Sequence, residues 1–88
     1  MIRNNQFIKR KIGTQLVIVA LGEATKRFNG MISVNETGSF IWDRLEKEIT
    51  LDELTDAIVA EYEVDSETAR TDAARFIETL KGVGALAE

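Results

Sequence analysis

The sequence contains no cysteine and no histidine. Without cysteine there are no disulfides, thiolate metal sites or cysteine nucleophiles. Without histidine the commonest general base and metal ligand is missing. No glycine-rich phosphate-binding loop is present either. Carboxylate and lysine side chains are the catalytic groups that remain, which is a small set. We therefore expect a protein that is not an enzyme and that needs no metal or cofactor.

Long apolar runs are also absent. The longest, residues 16–21 (LVIVAL), has the length of a strand and falls far short of the roughly 20 residues that cross a bilayer. The opening MIRNNQ lacks the apolar centre of a signal peptide. We therefore expect a cytoplasmic protein with no membrane partner. Its 88 residues, 44% hydrophobic and 30% charged, are typical of one globular domain spanning residues 1–88.

The charges are unevenly distributed along the chain, whose net charge is −4. Residues 1–33 carry six basic residues and one acidic residue, whereas residues 34–88 carry five basic and fourteen acidic residues. Such asymmetry concerns partners rather than fold. The simplest interpretation is two solvated faces, and the alternative is a role in selecting partners.

The N-terminal third contains a predicted hairpin. Residues 7–12 (FIKRKI) and residues 15–21 (QLVIVAL) have strand character, and Gly13-Thr14 between them forms a short turn. The second segment is apolar on both faces, which is typical of a strand in the middle of a sheet.

A third strand is predicted at residues 26–35 (KRFNGMISVN), after a polar turn at residues 22–25. Gly30 would lie in mid-strand, where a glycine marks a bulge or lets another backbone come close. A meander in this order leaves the third strand at the sheet edge. Its unpaired N–H and C=O groups are then open to a partner.

Three helices are predicted after residue 35. The first begins at a cap on Ser33 or Asn35 and runs to about residue 47. The second begins at Thr50, which has capping-box spacing to Glu53, and ends near residue 62. The third covers residues 67–81. Three strands followed by three helices predict an α+β domain, with a three-stranded antiparallel sheet and a winged helix–turn–helix-like arrangement.

Two neighbouring lines of side chains run along the third predicted helix. The line expected to face the core consists of Ala69, Ala73, Phe76 and Leu80. The adjacent line consists of Arg70, Ala74, Ile77 and Lys81. The small side chains at positions 73 and 74 leave room for a bulky group or another backbone, although ordinary helix packing also explains them.

A winged helix–turn–helix places its third helix on DNA. Here that helix mixes charges of both signs, with Arg70, Arg75 and Lys81 beside Glu67, Asp72 and Glu78. A duplex backbone would be repelled as much as attracted. We therefore expect no nucleic-acid partner, and a small winged-helix DNA-binding regulator remains the alternative. Pairing of two copies through the third strand is a further alternative, so we expect a monomer or a weak dimer.

The run FNGMISVNETGSFIW at residues 28–42 resembles the signature hydrophobic–Asn–x–Thr–Gly–x–x–Ile–Trp of PqqD-like proteins. These include the pyrroloquinoline-quinone synthesis protein D and the RiPP recognition elements. Residues 50–58 (TLDELTDAI), residues 62–65 (YEVD) and the ending from residue 76 to residue 86 are similar as well. Family members often carry Asp-Gly between the first two helices, where this chain has Lys47-Glu48.

The resemblance implies a protein that is not an enzyme. It implies binding of the leader segment of a ribosomally made precursor peptide, and delivery of that peptide to a modifying enzyme, often a radical SAM protein. The leader is expected to add as a strand beside the third strand, in a cleft against the third helix. The residues expected to bind it are Arg27, Phe28, Asn29, Gly30, Met31, Ile32, Ser33, Arg70, Ala73, Ala74, Ile77 and Lys81. Ile77 is expected to offer an apolar contact, so that Ile77→Asp abolishes binding and leaves the fold intact.

Overall fold

The computed structural model describes residues 1–87. Its strands are β1 (Ile2–Arg3), β2 (Phe7–Ile12), β3 (Gln15–Ala20), β4 (Met31–Val34) and β5 (Leu86–Ala87). Its α-helices are α1 (Glu36–Arg44), α2 (Leu51–Glu61) and α3 (Ser66–Gly82). Strands β2, β3 and β4 form one antiparallel sheet in that order. The predicted α+β fold, with a three-stranded antiparallel sheet followed by three helices, is confirmed.

The third strand is shorter than predicted. Of residues 26–35 only Met31–Val34 forms a strand, and Gly22–Lys26 forms a 3-10 helix. The backbone N–H groups of Arg27 and Phe28 donate to the carbonyl of Ala24, at 3.1 and 3.0 Å, so they cannot take part in a sheet ladder. Gly30 therefore precedes the strand, and the predicted mid-strand bulge is wrong.

A second, two-stranded sheet was not predicted. In it, Ile2 pairs with Ala87 and Arg3 pairs with Leu86. Strands of two residues are too short to show a period-2 pattern in the sequence. The Arg3 N–H also donates to the carbonyl of Leu45 at 2.9 Å, just beyond the end of α1. Because β5 pairs with β1, it leaves the free edge of β4 uncovered.

The core lies between the helices and one face of the three-stranded sheet, the inner face. Phe7 and Ile18 of that face are buried together with Ile41 and Leu45 from α1 and its end. Trp42 is 2% exposed, and the Arg3 guanidinium lies 5.5 Å from its ring centroid. The described helices include none that is both long enough and apolar enough to cross a membrane.

The second helix begins where its cap predicts, and the third begins at Ser66, one residue before its predicted start. Thr50 and Glu53 form a reciprocal capping box at the start of α2. At the start of α3, the Asp65 carboxylate accepts a hydrogen bond from the Thr68 N–H at 2.7 Å. These bonds satisfy N–H groups that have no partner within the helix.

Candidate functional site

The free side of β4 is an open sheet edge. Strand β4 pairs with β3 in a register that runs from Leu16–Val34 to Val19–Met31. Within residues 1–87 no strand pairs with its other side. In an antiparallel strand, alternate residues direct their N–H and C=O groups away from the existing neighbour. These groups are available to another extended chain.

Two adjoining concavities separate this edge from α3. One, of about 420 Å³, is lined by Ser33, Val34, Asn35 and Phe76. The other, of about 270 Å³, shares Asn35 and Phe76 and adds Thr37, Gly38, Ile41, Asp72, Arg75 and Thr79. We call this surface the β4–α3 groove. Its strand wall is Ser33 to Asn35, and its helix wall is Asp72, Arg75, Phe76 and Thr79.

Phe76 joins the walls of the groove. Its ring is half-buried, and a methyl group added to Gly38 would lie 3.4 Å from that ring and 3.4 Å from the Val34 Cβ. The first turn of α1, the end of β4 and the side of α3 therefore converge at this point. The missing side chain of Gly38 permits the close approach.

The end of β4 is held by side-chain hydrogen bonds. The Asn35 Oδ1 accepts from the Gly38 N–H at 2.8 Å, which makes Asn35 the N-cap of α1. Ser33, the other predicted cap, instead accepts through its Oγ from the Gln15 Nε2 at 2.6 Å. These bonds fix the strand wall of the groove to α1 on one side and to β3 on the other.

The groove contains two charged side chains that form no ion pair with residues 1–87. Arg75 and Asp72 both line it, and neither belongs to an ion pair within 4.0 Å in the part of the chain that the structure describes. A bound ligand with charges of its own can therefore pair with them without breaking an existing ion pair.

The side chains expected on the helix wall lie elsewhere. Ala73 and Ile77 are 0% and 4% exposed and belong to the core. Arg70 bonds to Asp52 of α2, so it extends away from β4. None of the three lines the β4–α3 groove, because this side of α3 faces the core and α2.

Ala74 and Lys81, the other two residues expected on the helix wall, also lie outside the groove. Lys81 lies 3.6 Å, Nζ to Oε2, from Glu78 of its own helix, and Ala74 is half-buried. Neither lines either concavity. Phe76, placed in the core by its spacing, lines both. The available signal was that Asp72 and Thr79 lie four residues before and three after Phe76, and so share its flank.

The residues expected on the strand wall are divided between β4 and the segment before it. Arg27, Asn29 and Gly30 are exposed before the strand begins. Phe28 is half-buried and stacks on Phe7 with ring centroids 6.4 Å apart.

Within β4 the side chains alternate. Met31 and Ser33 are exposed, and Ile32 is half-buried on the inner face. Ser33 is among the residues that line the groove, whereas Ile32 is not.

A larger open concavity, of about 680 Å³, lies at the other side of Asn35. Burial, with a contribution from Glu36, raises the pKa of the Tyr62 phenol there, so Tyr62 stays neutral at physiological pH. Asp43 in the same concavity is held by the Lys9 Nζ at 2.7 Å. The described residues contain no group of three or more carboxylates that could hold a metal ion.

Comparisons with known proteins bear on this geometry. The sequence model of the family described as coenzyme PQQ synthesis protein D (PqqD) matches residues 15–86, which include β4 and all three helices. A solved structure described as TbiB1 in complex with the TbiA(beta) leader peptide is similar, with a TM-score of 0.75 and 28% identity over 98% of this chain and 94% of that chain. No curated protein sequence matches.

Proposed function

Since the chain belongs to the PqqD family, we propose that it binds the leader segment of a ribosomally synthesised precursor peptide and presents it to a modifying enzyme. We further propose that this enzyme is a radical SAM protein and that the chain itself is not catalytic. The solved structure of similar fold, a protein bound to a leader peptide, supports the peptide as ligand.

The observation that carries the proposal is the open edge of β4 beside a groove. A leader that adds to this edge as a strand gains main-chain hydrogen bonds along Met31–Val34. Each such bond contributes about 0.5–1.5 kcal/mol net. Ordering a flexible peptide costs about 2–5 kcal/mol or more. A four-residue ladder therefore roughly offsets the ordering cost, and side-chain contacts in the groove supply the affinity and the specificity.

The groove offers those contacts in alternation. Phe76 and Val34 form an apolar site for a leader side chain that points towards α3. Arg75 is placed to pair with a leader carboxylate, and Asp72 with a basic group. On the strand side, Met31 and Ser33 contact the leader through side chain or backbone, and Ile32 through its backbone. The helix wall proposed here replaces Arg70, Ala73, Ala74, Ile77 and Lys81.

A titration of the isotopically labelled chain with the leader peptide encoded beside its gene tests the proposal. We expect saturable binding at micromolar or lower concentration, with the largest amide shifts at residues 31–35 and 72–79. A scrambled peptide of the same composition is the control. Absence of saturation would refute leader binding, and saturation with shifts confined to the α2 side of α3 would place the site elsewhere.

A further inference from the structure

The face of the three-stranded sheet that points away from the helices is uncovered. Paired residues of antiparallel strands share a face, so the register defines this outer sheet face as Ile8, Arg10, Ile12, Gln15, Val17, Val19, Met31 and Ser33. The opposite, inner face contributes Phe7 and Ile18 to a core that also contains buried residues of all three α-helices. Met31 is 58% exposed and Ile12 is 52% exposed.

The outer sheet face is apolar where a solvated face is usually polar. An antiparallel sheet with one face in water commonly alternates apolar inward and polar outward residues. Here β2 contributes Ile8 and Ile12, β3 contributes Val19 and β4 contributes Met31, whereas Val17 on the same face is only 2% exposed. In the register, the row Ile8–Val19–Met31 is apolar across all three strands, and Arg10 and Ser33 flank Val17 in the next row. Apolar surface that runs across neighbouring strands marks an interaction site more often than scattered apolar residues do.

The surroundings of this face are basic. Arg10 lies on it, and Lys11 and Arg27 are exposed on the same sheet half of the molecule. None of the three has a carboxylate within 4.0 Å among residues 1–87. The one acidic residue among residues 1–33, Glu23, is paired with Lys26 at 3.0 Å. A complementary surface therefore has an apolar centre and a rim of carboxylates.

We propose that the outer sheet face docks the modifying enzyme that receives the leader, through an apolar patch of that enzyme rimmed by carboxylates. This inference rests on the proposed function. Two copies of the chain meeting through this face would bring their Arg10 side chains together, which charge repulsion opposes. The acidic helices of a second copy offer one exposed large hydrophobic residue among those described, Val59, and so lack an apolar centre.

The location and size of the face suit delivery of a peptide. The face ends at β4, whose free edge is the proposed leader site, so an enzyme docked there lies beside an added strand. Strands of six residues make it roughly 20 Å long, and three strands make it roughly 15 Å wide. That is about 300 Å², against about 800 Å² per partner in a standard stable interface. The contact is therefore transient, as release after modification requires.

The test compares two substitutions of exposed apolar residues by glutamate. The test variant is Ile12→Glu, because Ile12 lies on the outer sheet face in β2, the strand farthest from the leader edge. The matched control is Val59→Glu, because Val59 lies on α2 and is 38% exposed. The modifying enzyme encoded with this chain is titrated into each leader-saturated variant. We expect Ile12→Glu to weaken enzyme binding about tenfold or more and Val59→Glu less than about twofold. Leader affinity stays within about twofold for both.

Each other result refutes a stated part. Equal weakening by the two variants, or wild-type enzyme affinity in Ile12→Glu, overturns the docking face. A wild-type dimer in sedimentation that Ile12→Glu dissociates also overturns the docking face, because the face would then join two copies of the chain. A chain that binds both leader and enzyme, with an enzyme affinity that Ile12→Glu leaves unchanged, overturns this inference alone. A chain that binds the enzyme through Ile12 but no leader overturns the proposed function alone.

Discussion

The two flanks of α3 have different environments although they belong to one helix. Arg70 on the α2 flank is joined to Asp52 of the neighbouring helix. On the groove flank, Asp72 and Arg75 have no ion-pair partner in the described chain, and Phe76 is half-buried between α1 and β4. The α2 flank thus makes its contacts within the chain, whereas the groove flank has charged side chains available to a ligand. Helical periodicity predicts such lines of side chains, but it does not identify the neighbour that each line meets.

The largest effect should follow a substitution in the core between the flanks. Ile77 is 4% exposed, and Ile77→Ala should lower the free energy of unfolding by about 2–5 kcal/mol. Ile77→Asp should cost more, because its charge would be buried without a partner. Its burial contradicts the sequence-based expectation of an intact fold. Urea denaturation measures the loss. The control is Lys81→Ala at an exposed position, which should change the free energy of unfolding by no more than about 0.5 kcal/mol. An Ile77→Asp chain as stable as wild type would show that the core is misassigned.

The second effect concerns the groove flank. Phe76→Ala should weaken leader binding by about 2 kcal/mol, or about 30-fold, because it removes the apolar contact shared by both concavities. Phe40→Ala is the matched control, since Phe40 is a half-buried phenylalanine that packs edge-on against Tyr62 at 5.5 Å, outside the groove. Calorimetric titration measures both affinities. Comparable losses from the two variants would mean that the loss reflects general destabilisation.

The third effect compares charges on the two flanks. Arg75→Glu should weaken binding of a leader that carries carboxylates by about 1 kcal/mol, or about fivefold, and more so at low salt. Arg70→Glu removes an exposed ion pair with Asp52, so it should change stability by no more than about 1 kcal/mol and leave leader affinity unchanged. Affinities at two salt concentrations are the measurement. Greater sensitivity at Arg70 than at Arg75 would restore the α2 flank as the binding surface.

The fold was largely predictable because its signals are local. The strand at Phe7–Ile12 agrees with the prediction residue by residue, and the capping box at Thr50 is present as expected. Features that depend on distant contacts were not predictable. The pairing of β1 with β5 joins the two ends of the described chain, and the 3-10 helix before β4 forms around the buried Ala24. Neither leaves a periodic pattern in the sequence.

The candidate site was predictable in part for the same reason. The open edge follows from strand order, which the sequence shows, so this side of the site was identified. The helix wall depends on how α3 crosses the sheet and α2. Ala73 and Ile77 lie about 60° and about 100° from Phe76 around the helix axis, and the packing of α3 against its neighbours decides that Phe76 reaches the groove. The choice of flank therefore required the structure.

The smallest effect concerns the N-terminus of α3, which both flanks share. The hydrogen bond from the Thr68 N–H holds the pKa of Asp65 below its usual value of 3.8. A lowered pKa means that the folded chain favours the carboxylate, so the cap stabilises the fold fully above about pH 4. That contribution is lost as the pH falls through the folded pKa.

Asp65→Asn separates the charge of the cap from its hydrogen bond, because an amide oxygen still accepts from Thr68 but does not titrate. Wild type should be slightly more stable than Asp65→Asn at about pH 6, since a carboxylate also interacts favourably with the helix N-terminus. The difference should shrink when the pH is lowered below the folded pKa of Asp65, because the carboxylate is then protonated. Urea denaturation of both chains at the two pH values measures it. A difference that persists in acid would assign the preference to geometry rather than charge. If Asp65→Asn loses hydrogen-exchange protection only in the first turn of α3, the cap stabilises the helix end and affects both flanks of α3 equally.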